Sequence, residues 1–131
     1  MHFAKLPPSD HAAFSFIGPD DIERAWNITR AQELVNDGRE ASPISLQAFG
    51  ITAGRITELR PDLNVKRALT TNASLPILLI PFFGSSLIID GWHRLYRAAV
   101  LGCSEVRGHF LSAEEAKCLM WIEWPRGAQD A

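Results

Sequence analysis

The sequence predicts the α+β class: a single domain with a small mixed β-sheet and helices mainly on one face. Three observations predict it. A chain of 131 residues, 47% hydrophobic and 21% charged, is long enough for one core and is globular rather than disordered. Runs with strand character alternate with runs of helical spacing, and Gly, Pro, Asn and Asp punctuate them. The sharpest local signal, residues 86 to 101, reads as strand, turn and helix in succession.

Taken in order, residues 1 to 12 are rich in Pro, His and small residues and read as an irregular arm before a domain spanning 13 to 124. Phe14-Ser15-Phe16-Ile17 has strand character and is ended by Gly18-Pro19. A helical pattern then begins at Asp20 or Asp21, runs through Ile22, Ala25 and Trp26, and reinitiates at Asn27. Ile28, Ala31, Leu34 and Val35 continue it at three- and four-residue spacing until Asn36-Asp37-Gly38. Residues 43 to 49 alternate apolar and polar side chains, which favours a half-buried strand closed by Gly50. Arg55-Ile56-Thr57-Glu58-Leu59 reads as another short strand or an extended loop. Residues 61 to 69 suggest a short helix with Pro61 near its start.

From Pro76 the reading is a strand at 77 to 82, a turn around Phe83-Gly84-Ser85 and a strand at 86 to 90. A helix at 92 to 101, a strand at 105 to 110 and a helix at 112 to 122 follow. Ser112 with Glu115 three residues later makes a capping box. Trp121, Ile122 and Trp124 are expected to pack on the core, and residues 125 to 131 to form a loose tail.

The candidate site is Asp90-Gly91-Trp92-His93-Arg94, with Arg97 one turn on. Gly91 lets the backbone turn sharply out of the apolar strand, and Asp90 is placed to cap the helix that follows. His93, Arg94 and Arg97 then stand in the first turns, where unpaired N–H groups and the positive end of the helix dipole already disfavour cations. A phosphate held jointly by those N–H groups and the guanidinium groups resolves the conflict. So does a second arrangement, in which Asp90 caps the helix and pairs with Arg94 while Arg97 is solvated.

The segment resembles the ParB/sulfiredoxin-like superfamily, whose signature is a strand, then D/G-G-x-H-R, then an alanine-bearing helix. Asp90-Gly91-Trp92-His93-Arg94 followed by Ala98 and Ala99 carries the resemblance, which extends over about residues 60 to 122. It implies a nucleotide- or phosphate-binding domain with slow nucleoside triphosphate hydrolysis, ATP or CTP with Mg being the ligands it points to. By position it implicates His93 and Arg94 in holding phosphate and carries over Lys66; Gly91, Trp92 and Arg97 complete the phosphate-binding candidates, and Asp90 and His93 are the catalytic ones. Lys66 enters by its place before the strand pair, although Lys66 and Arg67 read more readily as a solvated helix face than as ligands. Sulfiredoxins carry a catalytic cysteine immediately before the His-Arg pair, where this chain has Trp92. Sulfinic acid reduction is therefore not expected, and Cys103 and Cys118 read as ordinary semi-buried thiols.

Two other readings stand beside the first. Relatives that bear the name of nuclease suggest phosphodiester hydrolysis, which needs a metal-holding carboxylate pair or a general base. Asp90 is the one carboxylate of the motif, with Glu58, Asp62 and Glu105 as candidate partners. The third reading is a non-catalytic regulatory or inhibitory protein of a mobile element, acting as a docking surface for a protein partner. A net charge of −2 argues against a broad DNA-binding face, so DNA ranks second to a nucleotide. The N-terminal stretch lacks an apolar h-region, no apolar run reaches the roughly 18 residues of a membrane span, and a cytoplasmic protein is expected. His2, His11, His93 and His109 are too scattered for a ligand set, and no zinc is expected.

Overall fold

A computed structural model describes residues 3–4, 10–72 and 75–125. In chain order the elements are strand β1 (Phe3–Ala4), β2 (Ala13–Ile17), β3 (Ile22–Asn27), helix α1 (Ile28–Leu34), β4 (Ser42–Ser45), α2 (Ala53–Leu59), α3 (Val65–Thr70), β5 (Ile77–Phe82), β6 (Ser85–Asp90), α4 (Trp92–Val100), β7 (Glu105–Phe110), α5 (Ala113–Leu119) and β8 (Met120–Pro125). The class is α+β, as the alternation predicts. Where one sheet was expected there are two of four strands, each within its own compact unit. One unit joins the two ends of the chain, up to Gly38 and from Ser112 onward, and the other is the continuous stretch Arg39–Leu111.

The unit made of the chain ends is an antiparallel sheet in the order β1-β8-β3-β2. Its β3 occupies the place where a helix from Asp20 through Trp26 was expected. Neighbours on both sides supply its ladder, and a bulge between Ala25 and Trp26 buries those two adjacent residues together. Two successive buried positions mimic helical spacing. Asn27 then starts α1 as the reinitiation predicts, its side chain accepting a hydrogen bond from Arg30 N at 2.9 Å.

At the other end of the chain, the capping box of Ser112 and Glu115 forms as expected. The helix stops at Leu119 rather than running to 122, because Met120–Pro125 is drawn into the sheet between β1 and β3. Trp121 is buried, and Ile122 and Trp124 are half-buried. Part of the expected irregular arm is ordered too, with Phe3 and Ala4 paired to Glu123 and Ile122. Of the expected tail, Pro125 instead closes β8, and residues 126 to 131 lie outside the described residues.

In the middle unit the sheet runs β4-β7-β5-β6 and is mixed, with β5 and β7 parallel and the other pairs antiparallel. Helix α4 packs against β5 and β7. Ile44, Leu46, Ile56, Ile77, Leu79 and Leu95 form the heart of its core. Strand β4 ends at Ser45, short of the expected 49, because the chain turns there: Ser45 Oγ accepts from Ala48 N at 3.1 Å. The segment read as a strand or extended loop is the helix α2. Thr52 caps it at 3.1 Å from Arg55 N, and Ile56 is its single buried residue, too few for a period to show. Helix α3 begins after its cap Asn64, later than Pro61 suggested.

Candidate functional site

The turn from β6 into α4 is built around Gly91, whose φ is +99°. A β-carbon there would stand 2.6 Å from Ile77 Cγ2, so both the backbone angle and the space demand glycine. Gly91, not Asp90, is the N-cap of α4, and no side chain caps this helix. The expected cap by Asp90 fails because that residue closes β6, and its carboxylate is engaged elsewhere. Asp90 Oδ2 accepts from Arg94 Nη2 at 3.2 Å, and the same nitrogen donates to the Pro76 carbonyl at 2.9 Å. The Asp90 and Arg94 side chains are 20% and 16% exposed. Arg94 thus ties the first turn of α4 to the end of β6 and to the residue that precedes β5.

Arg97, taken as solvated in one of the two readings, instead donates to the Thr71 carbonyl at the end of α3. Trp92 folds onto the edge strand of the sheet: its Nε1 donates to the Ile88 carbonyl at 3.1 Å, and its ring packs on the core. Over that ring, 5.6 Å from its centroid, lies the guanidinium of Arg60.

His93 is half-buried at the head of the helix. Burial lowers its pKa from the ordinary 6.5, the positive charges of Arg67, Arg60 and Arg94 push the same way, and Asp62 opposes them. Arg60 sits at the C-cap of α2 and grips Asp62 with both arms, Nε to Oδ1 and Nη2 to Oδ2, each at 3.3 Å. That grip holds the Asp62 carboxyl below its usual range. Lys66 lies exposed in the first turn of α3, and its neighbour Arg67 is the α3 cation that acts on His93.

The structure therefore brings Asp90, Gly91, Trp92, His93 and Arg94 together and adds Arg60, Asp62 and Arg67. In the sequence Asp62 stands only among the nuclease carboxylates, Arg67 reads as part of a solvated face, and no motif marks Arg60. The one available signal was the density of charge between residues 58 and 67. Three of the four candidate metal carboxylates are committed to arginines, Asp90 to Arg94, Asp62 to Arg60 and Glu58 to Arg55 at 3.4 Å, and Glu105 is exposed at the start of β7. Among the described residues no three His, Cys, Asp or Glu side chains gather as a ligand group.

Both cysteines are free and exposed rather than semi-buried. Cys103 lines a cavity of about 380 Å³ toward the C-terminal end of α4, together with Ser45, Thr52 and Ala99. That cavity is at the opposite end of the helix from His93. Its Ser45 and Thr52 hydroxyls already accept bonds from Ala48 N and Arg55 N, so it presents little directed polar chemistry. No protein-family profile, curated protein or solved structure matches this chain.

Proposed function

We propose that the middle unit is a nucleotide- or phosphate-binding domain of ParB/sulfiredoxin-like type, with His93 at the centre of its site. One observation carries the reading: His93 is set at an uncapped helix N-terminus in a field made positive by Arg67, Arg60 and Arg94. A bound phosphoryl group would meet the N–H donors of the first turn, the dipole and these charges together. Arg94 acts in this reading as a positioning residue, since its hydrogen bonds hold the turn. A divalent ion such as Mg would arrive on the phosphates of ATP or CTP, because Asp90, Asp62 and Glu58 are already paired to arginines. Burial, with these charges, lowers the His93 pKa, and the neutral imidazole is the form that can take a proton from water during slow phosphoanhydride hydrolysis.

Titration calorimetry with inorganic phosphate, ATP and CTP, with and without Mg, tests the proposal beside the His93 ring resonances. Binding should give heat and should raise the His93 pKa, because an anion favours the imidazolium. Absence of heat together with an unmoved His93 resonance rules the reading out.

A further inference from the structure

The Arg60 fork is half of an anion seat whose other half is a carboxylate of the same chain. From one side the guanidinium is steadied by the Trp92 ring, and its side chain is only 28% exposed. From the other side it presents Nε and Nη2 to the two oxygens of Asp62, the same pair of parallel bonds that two phosphate oxygens accept. The two partners differ in how firmly they are held. Asp62 is 71% exposed in the loop between α2 and α3, so it can swing away while the cation stays in place.

Resting on the phosphate-site reading above, we infer that Asp62 is an internal counter-ion, seated in the Arg60 fork in the unliganded protein and displaced by a phosphoryl group of the ligand. A carboxylate carries one charge and its ion pair is exposed, which makes it a weak competitor. A phosphoryl group with charge near −2 at neutral pH makes the same two bonds and adds attraction to Arg67. Asp62 thereby lowers affinity for anions generally and leaves the fork to ligands that bring more charge than it does.

Calorimetry with pyrophosphate on the full chain tests this. Asp62→Asn should tighten binding by about three- to tenfold, the effect of removing one nearby charge in a solvent-exposed setting. Arg60→Gln should weaken it, and adding Asp62→Asn to Arg60→Gln should restore little, because the carboxylate acts through the fork. Thermal melting should show each variant folded, and Asp62→Ser should repeat the gain seen with Asn. If the parent binds pyrophosphate and Asp62→Asn binds it no better, the counter-ion inference fails while the phosphate site stands. An equal gain in the Arg60→Gln background also overturns it, since repulsion at a distance would then suffice. If neither the parent nor Asp62→Asn binds, the site reading fails and the inference with it.

Discussion

The Arg94 guanidinium reaches back one helical turn to the Asp90 carboxylate at 3.2 Å and, with the same nitrogen, holds the Pro76 carbonyl at 2.9 Å. An arginine in the first turn of a helix is electrostatically misplaced unless something negative answers it, and here Asp90 does. The motif arginine is thus first a fastening of strand to helix.

Arg94→Ala should therefore destabilise the fold, by about 1 to 3 kcal/mol, because it removes the donor shared by a largely buried carboxylate and a carbonyl. Arg67→Ala should leave stability within about 0.5 kcal/mol, as an exposed substitution does, while weakening phosphate binding. Urea melts of the two variants beside phosphate titrations separate the cation that holds the turn from the one that serves the ligand. An Arg94→Ala protein as stable as the parent contradicts this division.

Gly91→Ala should cost about 2 to 4 kcal/mol, combining a left-handed backbone with an overpacked contact. The β-carbon would press on Ile77, which is fully buried in the core of the middle unit. Gly102, also at positive φ, has open space where its β-carbon would go, so Gly102→Ala should show the backbone cost alone. The difference between the two denaturation midpoints measures the clash.

His93 should make the protein less stable in mild acid. Its pKa is lower in the folded state than the ordinary 6.5, so the unfolded chain binds the proton more readily. Stability is then full above about pH 6.5 and is lost as pH falls toward the folded value. Unfolding midpoints at pH 7.5 and 5.5 should differ less in His93→Gln than in the parent, since glutamine does not titrate. Phosphate should shrink the same gap in the parent. An equal gap in both proteins would remove His93 from the account.

The turn itself was legible in the sequence because its determinants are local: an apolar run, Gly91, and an apolar helix face ended by Gly102. The strands β5, β6 and β7 and the capping box at Ser112 were legible for the same reason. What was lost depended on partners far along the chain. Ile22–Asn27 reads as helical in isolation and is a strand because β8, about a hundred residues later, pairs with it. Likewise Arg60 lies over Trp92 only through the packing of α2 against α4, a relationship that no spacing encodes. The single expected sheet became two once Met120–Pro125 left its helix for the sheet of the chain ends.

The thiols give a simpler test. Cys103 and Cys118 are both exposed and free, so a disulfide reagent should label both in the native protein without a lag for unfolding. Cys103→Ser and Cys118→Ser should each change stability by no more than about 0.5 kcal/mol and leave phosphate binding untouched. A loss of binding in Cys103→Ser with the fold intact would move attention to the cavity that this residue lines.

Trp92 reports on the site from within. Its ring carries the Arg60 guanidinium on one face and its Nε1 is bonded to the Ile88 carbonyl, so the emission of this residue should depend on where Arg60 lies. Arg60→Ala should shift tryptophan fluorescence in the absence of any ligand, and pyrophosphate should shift it in the parent by drawing on the same guanidinium. Both changes should vanish in Trp92→Phe, which keeps an aromatic ring on the sheet edge and gives up one hydrogen bond worth about 0.5 to 1.5 kcal/mol. Trp26, Trp121 and Trp124 belong to the other unit and form a constant background, so Trp121→Phe should retain the signal. A pyrophosphate response that survives in Trp92→Phe would place the ligand away from His93.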